Sequence, residues 1–399
     1  MSLTSFEEAI SIVSAISSSF EKENIRLEEA DGRILAENIY ADRDYPPFNR
    51  AAMDGYAIMQ SDWEKGIRKY QITETIFTGK PAKYPLTSGS CYKIMTGAAT
   101  PEAANIIIRR EDAKESEAQV ILHSDSLKSY QNIARQGEDS SAGSLVLTAP
   151  VRCSPQVIAL LATVGKVTLQ VYKLPKVALI TTGDEIVSPA TSIGPFQIRN
   201  SNQYLLRSLL NQWKIRPVLC AHVSDDKEKL RTLLSTALEA QLVIINGAVS
   251  AGDADHVPAV LQELGVKTLF HKVSIRPGKP ILLGKATSGA LVFALPGNPL
   301  SCLSTFTVFV EHYLYRCFGY EARPIQMLPI LESRTKKHPL TEFFPARADH
   351  SGGLNGIPFN GSGDVTAAIY ADGLAMQPAD STQLNKNDFI TFYPFNQNK

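Results

Sequence analysis

Between Lys176 and Tyr320, short apolar runs alternate with amphipathic helical stretches, and this alternation restricts the fold more than any other feature of the chain. Val177–Thr181, Pro217–Val223, Leu242–Asn246 and Leu291–Leu295 read as strands, three of them apolar enough to be buried on both faces. Helical spacing marks 202–213 (Leu205, Leu206, Leu209 and Leu210 on one face), 225–238, 256–264 and 300–318. Strands alternating with helices predict parallel βαβ crossovers, hence an α/β fold with a doubly wound parallel sheet. Asp225 with Glu228 has capping-box spacing, and Asn298 before Pro299 predicts the start of the last helix.

The flanks read differently. Phe6, Ile10, Val13 and Ile16 predict an N-terminal helix, and Ser154-Pro155 opens another near 154–164. Short alternating runs at Tyr70–Thr75, Cys91–Met95, Asn105–Arg109 and Gln119–His123 make the region from Arg26 to about Val146 β-rich, as is 323–399. At about 150 residues per domain, 399 residues suit two to three domains.

Forty basic residues balance forty acidic ones, so no net field draws the chain to nucleic acid or to a membrane surface, and neither is an expected partner. No run of about 18 uninterrupted apolar residues predicts a membrane span. Five scattered cysteines without a C-x-x-C pair argue against a disulfide scaffold or a cysteine zinc site. Glu7 and Glu8 stand where a signal peptide carries basic residues, and the expected location is cytoplasmic.

In an open α/β sheet, ligands bind beyond the carboxyl ends of the strands. Three such ends carry unusual loops: Thr182-Gly183-Asp184-Glu185, then Gly247 to Asp255, then Pro296-Gly297-Asn298-Pro299-Leu300-Ser301 running into a helix. Glycine allows close backbone approach, and free N–H groups at the helix start after Asn298 suit a phosphate. Asp184, Glu185, Asp253 and Asp255 would repel that phosphate unless a divalent cation intervened, and hard oxygen donors suit Mg²⁺. Arg276 and Lys279, in Arg276-Pro277-Gly278-Lys279-Pro280, supply cations for an anion. Each loop alone has an ordinary reading, as a turn, a helix start or a solvated bend. The nine-residue loop of small side chains with two acids serves no core, and the conjunction of four loops in one α/β unit points to a site for a phosphorylated or oxyanionic substrate.

TTGDEI at 181–186, RNSN at 199–202, GAVSAGDAD at 247–255, RPGKP at 276–280 and PGNPLS at 296–301 resemble the molybdopterin molybdenumtransferase (MoeA) family, which includes the gephyrin E domain. PPFNRAAMDGYAI at 46–58, IMTGAATPEAANIIIRRED at 94–112, NIARQGED at 132–139 and GSGDVTAAIYADGLAMQP at 361–378 extend the resemblance over nearly the whole chain. It implies a discontinuous α+β linking domain (about 1–25 and 142–172) with an inserted β-rich lid (about 26–141), together forming an N-terminal region 1–172. It further implies an α/β molybdopterin-binding domain over 173–322, a C-terminal β-barrel over 323–399, and a homodimer whose cleft lies between the α/β domain of one chain and the lid of the other.

The implied reaction is Mg²⁺-dependent insertion of molybdate into adenylylated molybdopterin with release of AMP. By resemblance, Asp54, Asp139, Glu185 and Asp255 are the candidate catalytic carboxylates, and Asp54, Glu185, Asp253 and Asp255 the candidate metal ligands. Thr96, Thr182, Gly183, Asp184, Ser250, Gly252, Arg276, Lys279, Pro296, Gly297, Asn298 and Ser301 are the candidate substrate contacts. Asp226 is a further candidate whose alternative role is at a helix cap. Ala134, Ser140, Asn246, Ala248 and Asp364 depart from the residues usual in the family at those places. A molybdopterin adenylyltransferase, which is also a conceivable partner, and a non-enzymatic scaffold are the alternative readings.

Overall fold

The computed structural model describes residues 3–124, 126–249, 256–364 and 366–395. The β-branched, apolar runs of the central segment form β1 (Val177–Thr182), β2 (Leu219–Val223), β3 (Leu242–Asn246), β4 (Lys267–His271), β5 (Leu282–Lys285) and β6 (Leu291–Leu295), joined in one sheet of order β2-β1-β3-β6-β5-β4. Side chains alternate between two cores. Val177, Leu179, Leu242, Ile244 and Phe293 face one side, whereas Ala178, Ile180, Val243, Ile245 and Val292 face the other. The first side is covered by α1 (Ser201–Gln212) and by α4 (Pro299–Thr305) with its continuation. The second is covered by α2 (Lys227–Ala237) and α3 (Val257–Glu263). Burial on both faces explains why these strands are apolar without alternation.

The sheet is mixed, not parallel throughout. β1 pairs in parallel with β2 and β3, and β3 with β6, but β5 runs antiparallel to both β6 and β4. β4 and β5 do not stand out in the sequence because Lys267-Thr268 and Gly284-Lys285 interrupt their apolar pattern. Two helix details also differ from expectation. The cap of α2 is Asp226, whose carboxylate accepts from the amides of Glu228 and Lys229 at 3.0 Å each, so Asp225 is not a capping-box residue. The last helix is not uniformly α. Between α4 and α5 (Glu311–Cys317) lies a π turn, Phe306–Val310, preceded by Thr305, whose hydroxyl bonds back to the carbonyls of Ser301 and Cys302.

Thr181, Asn246 and Leu295 lie side by side in register on β1, β3 and β6. The loops beginning at Thr182, Gly247 and Pro296 therefore leave the sheet as neighbours, at its carboxyl edge. Gly247 is required there: its φ is +104°, and a Cβ would meet Thr182 Oγ1 at 2.7 Å. The next residue, Ala248, also has positive φ, +49°, a conformation that costs an L-residue about 1–2 kcal/mol. Ala248→Gly is expected to stabilise the protein by about 1 kcal/mol, less the entropy glycine brings to the unfolded chain, measurable as a higher denaturant midpoint.

The N-terminal helix, Phe6–Ile16, packs on α5 and on the C-terminal strands, with Phe6 edge-on to Phe309 and Phe343 at 6.1 and 5.3 Å. Lys22–Arg26, Ile34–Leu35, Val151–Arg152 and Thr168–Tyr172 form a four-stranded sheet drawn from both ends of the N-terminal region. Between them in sequence, Gly55–Ile58, Lys69–Ile76, Ser90–Ile94, Ile106–Arg109, Ala113–Ser116 and Gln119–Leu122 make a six-stranded sheet. The C-terminal strands form a further six-stranded sheet, which includes Ile275–Arg276 from the central segment, paired with Thr341–Glu342. Among the described residues, no helix is long and apolar enough to cross a membrane.

Candidate active site

A cleft of about 880 Å³ opens at the carboxyl edge of β1, β3 and β6. Of the residues expected at a substrate site, Thr182, Gly183, Glu185, Arg276, Lys279, Pro296, Gly297, Asn298 and Ser301 line it. Asp184 does not. Its carboxylate accepts from the amide of Asp225 at 3.0 Å while its own amide donates to Asp225 at 3.4 Å, so the two acids clasp the loops after β1 and β2 together. Asp225, expected at a helix cap, lines the cleft instead. Ser250, Gly252, Asp253 and Asp255 lie outside the described residues.

Arg276 and Lys279 are exposed, and neither has a salt bridge among the described residues. The bend between them depends on Gly278, where φ is +107° and a Cβ would meet Thr305 Cγ2 at 2.5 Å. Two cations in a five-residue turn, with Glu185 and Asp225 on other loops, give the cleft one positive and one negative contribution from separate segments.

The helix start after Asn298 is not free as expected. The Leu300 amide donates to the Ser362 carbonyl at 3.1 Å, and Asn298 Nδ2 donates to Ser362 Oγ at 2.7 Å. A C-terminal segment, Phe359–Gly363, thus occupies donors that a phosphate would otherwise use, and it forms part of the cleft wall.

Three asparagines missed as site residues tie the strand ends together. Asn246, fully buried, donates to the Pro296 carbonyl at 2.8 Å and accepts from Asn202 Nδ2 at 2.9 Å, while Asn202 Nδ2 also donates to the Gly297 carbonyl at 2.6 Å. Because Pro296 and Gly297 offer only carbonyls here, both amide orientations are settled. Asn200 caps α1 and donates to Thr181 Oγ1 at 2.8 Å. Thr182 Oγ1 and Asn202 Oδ1 have no partner among the described residues, and both residues line the cleft. The available signal was RNSN: asparagines at a helix start, beside a strand end.

Asp54 and Thr96 meet in the N-terminal six-stranded sheet region, away from the residues that line this cleft. Asp54 Oδ1 accepts from the Thr96 amide at 2.7 Å and its hydroxyl at 2.8 Å. Those donors, the backbone amide first, hold the Asp54 carboxyl below the usual range. A depressed value contributes stability above the unfolded pKa of about 3.9, and that contribution is lost as pH falls through the folded value. Thr96→Val removes one donor and is expected to move Asp54 upward in an NMR titration; an unchanged value would show that the hydroxyl does not act on it. Asp139 is exposed; its amide donates to the Tyr45 carbonyl at 2.9 Å, and it joins neither group. Among the described residues, no three or more His, Cys, Asp or Glu side chains gather into a metal cage.

Residues 4–165 match the MoeA N-terminal region (domain I and II), 178–316 a probable molybdopterin binding domain, and 328–395 the MoeA C-terminal region (domain IV). The molybdopterin molybdenumtransferase of Staphylococcus epidermidis is 33% identical over 92% of this chain and 90% of its own length. The chain belongs to the MoeA family. Another member of the same name, from Synechococcus elongatus, is 34% identical over 90% of each chain. The molybdopterin biosynthesis moeA protein from Pyrococcus horikoshii OT3 has a related structure, with a TM-score of 0.82 at 28% identity, covering 98% of this chain and all of that one. Most residues lining the cleft fall in the stretch matched by the probable molybdopterin binding domain, and Phe359–Gly363 falls in the C-terminal match.

Proposed function

We propose that this MoeA-family enzyme, a transferase of molybdenum cofactor biosynthesis, inserts molybdate into adenylylated molybdopterin and releases AMP. One observation carries the reading: Arg276 and Lys279, free of salt bridges among the described residues, enter the same cleft as Glu185 and Asp225 at the carboxyl edge of a molybdopterin-binding α/β segment. The substrate has anionic parts, and Arg276 and Lys279 take phosphate or molybdate oxygens; Thr182 Oγ1 and Asn202 Oδ1, in two residues of the cleft lining, are buried polar oxygens without a partner among the described residues. In the step itself, the two dithiolene sulfurs bind molybdenum as one molybdate oxygen leaves as water with their two protons, and a water cleaves the phosphoanhydride, molybdopterin keeping one phosphate and AMP leaving with the other.

Magnesium belongs to the proposal. The donor set fits a hard cation, since Glu185 at the cleft and Asp253 and Asp255, which follow β3 in sequence, are all carboxylates, with Asp54 as a further candidate. When bound, the ion neutralises charge that develops on the anhydride oxygens. Residues 26–141 act as a lid and 323–399 as a small barrel. In a cytoplasmic homodimer, the Asp54–Thr96 pair of one chain serves the cleft of the other.

Incubation of the chain with adenylylated molybdopterin, molybdate and Mg²⁺ is expected to yield AMP and molybdenum cofactor together. Consumption of ATP and molybdopterin with release of pyrophosphate would favour the adenylyltransferase reading instead, and no turnover of either substrate would leave the scaffold.

A further inference from the structure

Asp364 accepts from more backbone amides than any site acid described above. One carboxylate oxygen accepts from the Asn360 amide at 3.0 Å. The other accepts from the Thr366 amide at 2.9 Å, the Thr366 hydroxyl at 2.7 Å and the Ala367 amide at 3.2 Å. One bond ties Asp364 to Asn360 in the segment Phe359–Gly363, each residue of which lines the cleft, and the other three anchor Asp364 itself to Thr366 and Ala367 on the far side. This segment is rich in glycine: Gly361 has φ of +95°, and Cβ atoms at Gly361 or Gly363 would meet nothing within 4 Å. Packing therefore does not fix these glycines, and hydrogen bonds must. At its centre, Ser362 bonds the start of α4 twice, through its carbonyl to the Leu300 amide and through its hydroxyl to Asn298.

We propose that Asp364 is a positioning residue for substrate binding: it fixes the Phe359–Gly363 wall so that Ser362 stays clasped to Asn298 and Leu300 and the cleft keeps its shape. The inference rests on the proposed molybdate-insertion reading only for its kinetic arm. Asp364 touches no reacting group, so its effect falls on KM. Loss of four hydrogen bonds, each worth several-fold in an equilibrium, lets the wall sample open positions, and substrate binding must then re-order it.

The test compares the full-length chain with Asp364→Ala, Asp364→Asn, Ser362→Ala and the double variant D364A/S362A. Asp364→Ala is expected to raise KM for adenylylated molybdopterin about tenfold with kcat within about twofold. Asp364→Asn, which retains an acceptor oxygen toward Thr366, recovers part of that loss. Ser362→Ala raises KM, and its effect shrinks to less than about twofold in the Asp364→Ala background because the clasp is already loosened. A second readout needs no turnover. Hydrogen exchange at the Leu300 amide, 64 positions away in sequence from Asp364, is expected to speed at least fivefold in Asp364→Ala, while the capped Val157 amide of the helix at Pro155–Thr163 is unchanged. Unchanged exchange at Leu300, or full additivity of the two substitutions in KM, overturns the proposal. If the unmodified chain releases no AMP, the insertion reading falls, and the Leu300 exchange result alone decides whether Asp364 holds the clasp.

Discussion

Arg276→Ala and Lys279→Ala are each expected to lower kcat/KM for AMP release about a hundredfold to a thousandfold, with little change in unfolding midpoint. The side chains are exposed and lack structural partners among the described residues, so removing either costs the fold little. Their work is electrostatic. In the proposed reaction the substrate would bring phosphates and molybdate two more negative charges, while Glu185 and Asp225 already line the cleft. A pre-placed cation that meets developing charge is worth about 3–4 kcal/mol of transition-state stabilisation when lost. Arg276→Lys tests geometry separately from charge, because a guanidinium grips an oxyanion through two parallel bonds and an ammonium does not. Steady-state AMP release settles the matter: if either alanine variant retains more than about a third of the activity, that cation does not hold the anion.

The second large effect concerns stability. Glu311 and Arg323 form a pair at 2.8 Å with side chains only 6% and 2% exposed, and Arg323 also donates to the Pro324 and Pro394 carbonyls. Arg323→Ala leaves a carboxylate buried without its cation and is expected to cost about 3–5 kcal/mol, seen as a lower urea midpoint. Replacing both by apolar residues of similar volume is expected to cost much less. The pH dependence follows from sign. Burial raises the Glu311 carboxyl and Arg323 opposes it. Without Arg323 the folded value rises further, so the folded state holds the proton more tightly than the unfolded chain. The deficit of Arg323→Ala therefore grows as pH rises through that raised value and shrinks below the unfolded one. A deficit independent of pH would place the loss in packing alone.

Much of the central segment was legible because physics wrote it locally. Strands buried on both faces must be apolar throughout, and α1 and α2 show their buried stripes as Leu206 with Leu209 and Leu230 with Leu234. Register is not local, yet the strand ends at Thr181, Asn246 and Leu295 could be placed at one edge from topology alone. What escaped was whatever depended on partners far along the chain. The antiparallel β5 is set by its neighbours, and Leu300 is capped by Ser362, which no short-range pattern reveals. Asn246 reads as a mere departure from the family until its hydrogen bonds to the Pro296 carbonyl and from Asn202 tie the end of β3 to the end of β6 and to the start of α1. The choice between Asp225 and Asp226 as cap turned on one residue of phase. Asp54 and Thr96 became candidates only by resemblance, and separately; the fold brings them together, and it leaves Asp139 apart from them.

The aromatic packing of Phe6 has a consequence for how the protein is made. Phe6 is synthesised about 300 residues before its ring partners Phe309 and Phe343, as Phe20 is before Phe318. The amphipathic helix Phe6–Ile16 must therefore wait, its apolar stripe unclaimed, until those partners have emerged. Nascent chains halted before Phe309 should expose that stripe to holding chaperones, and these long-range contacts should be among the last to close.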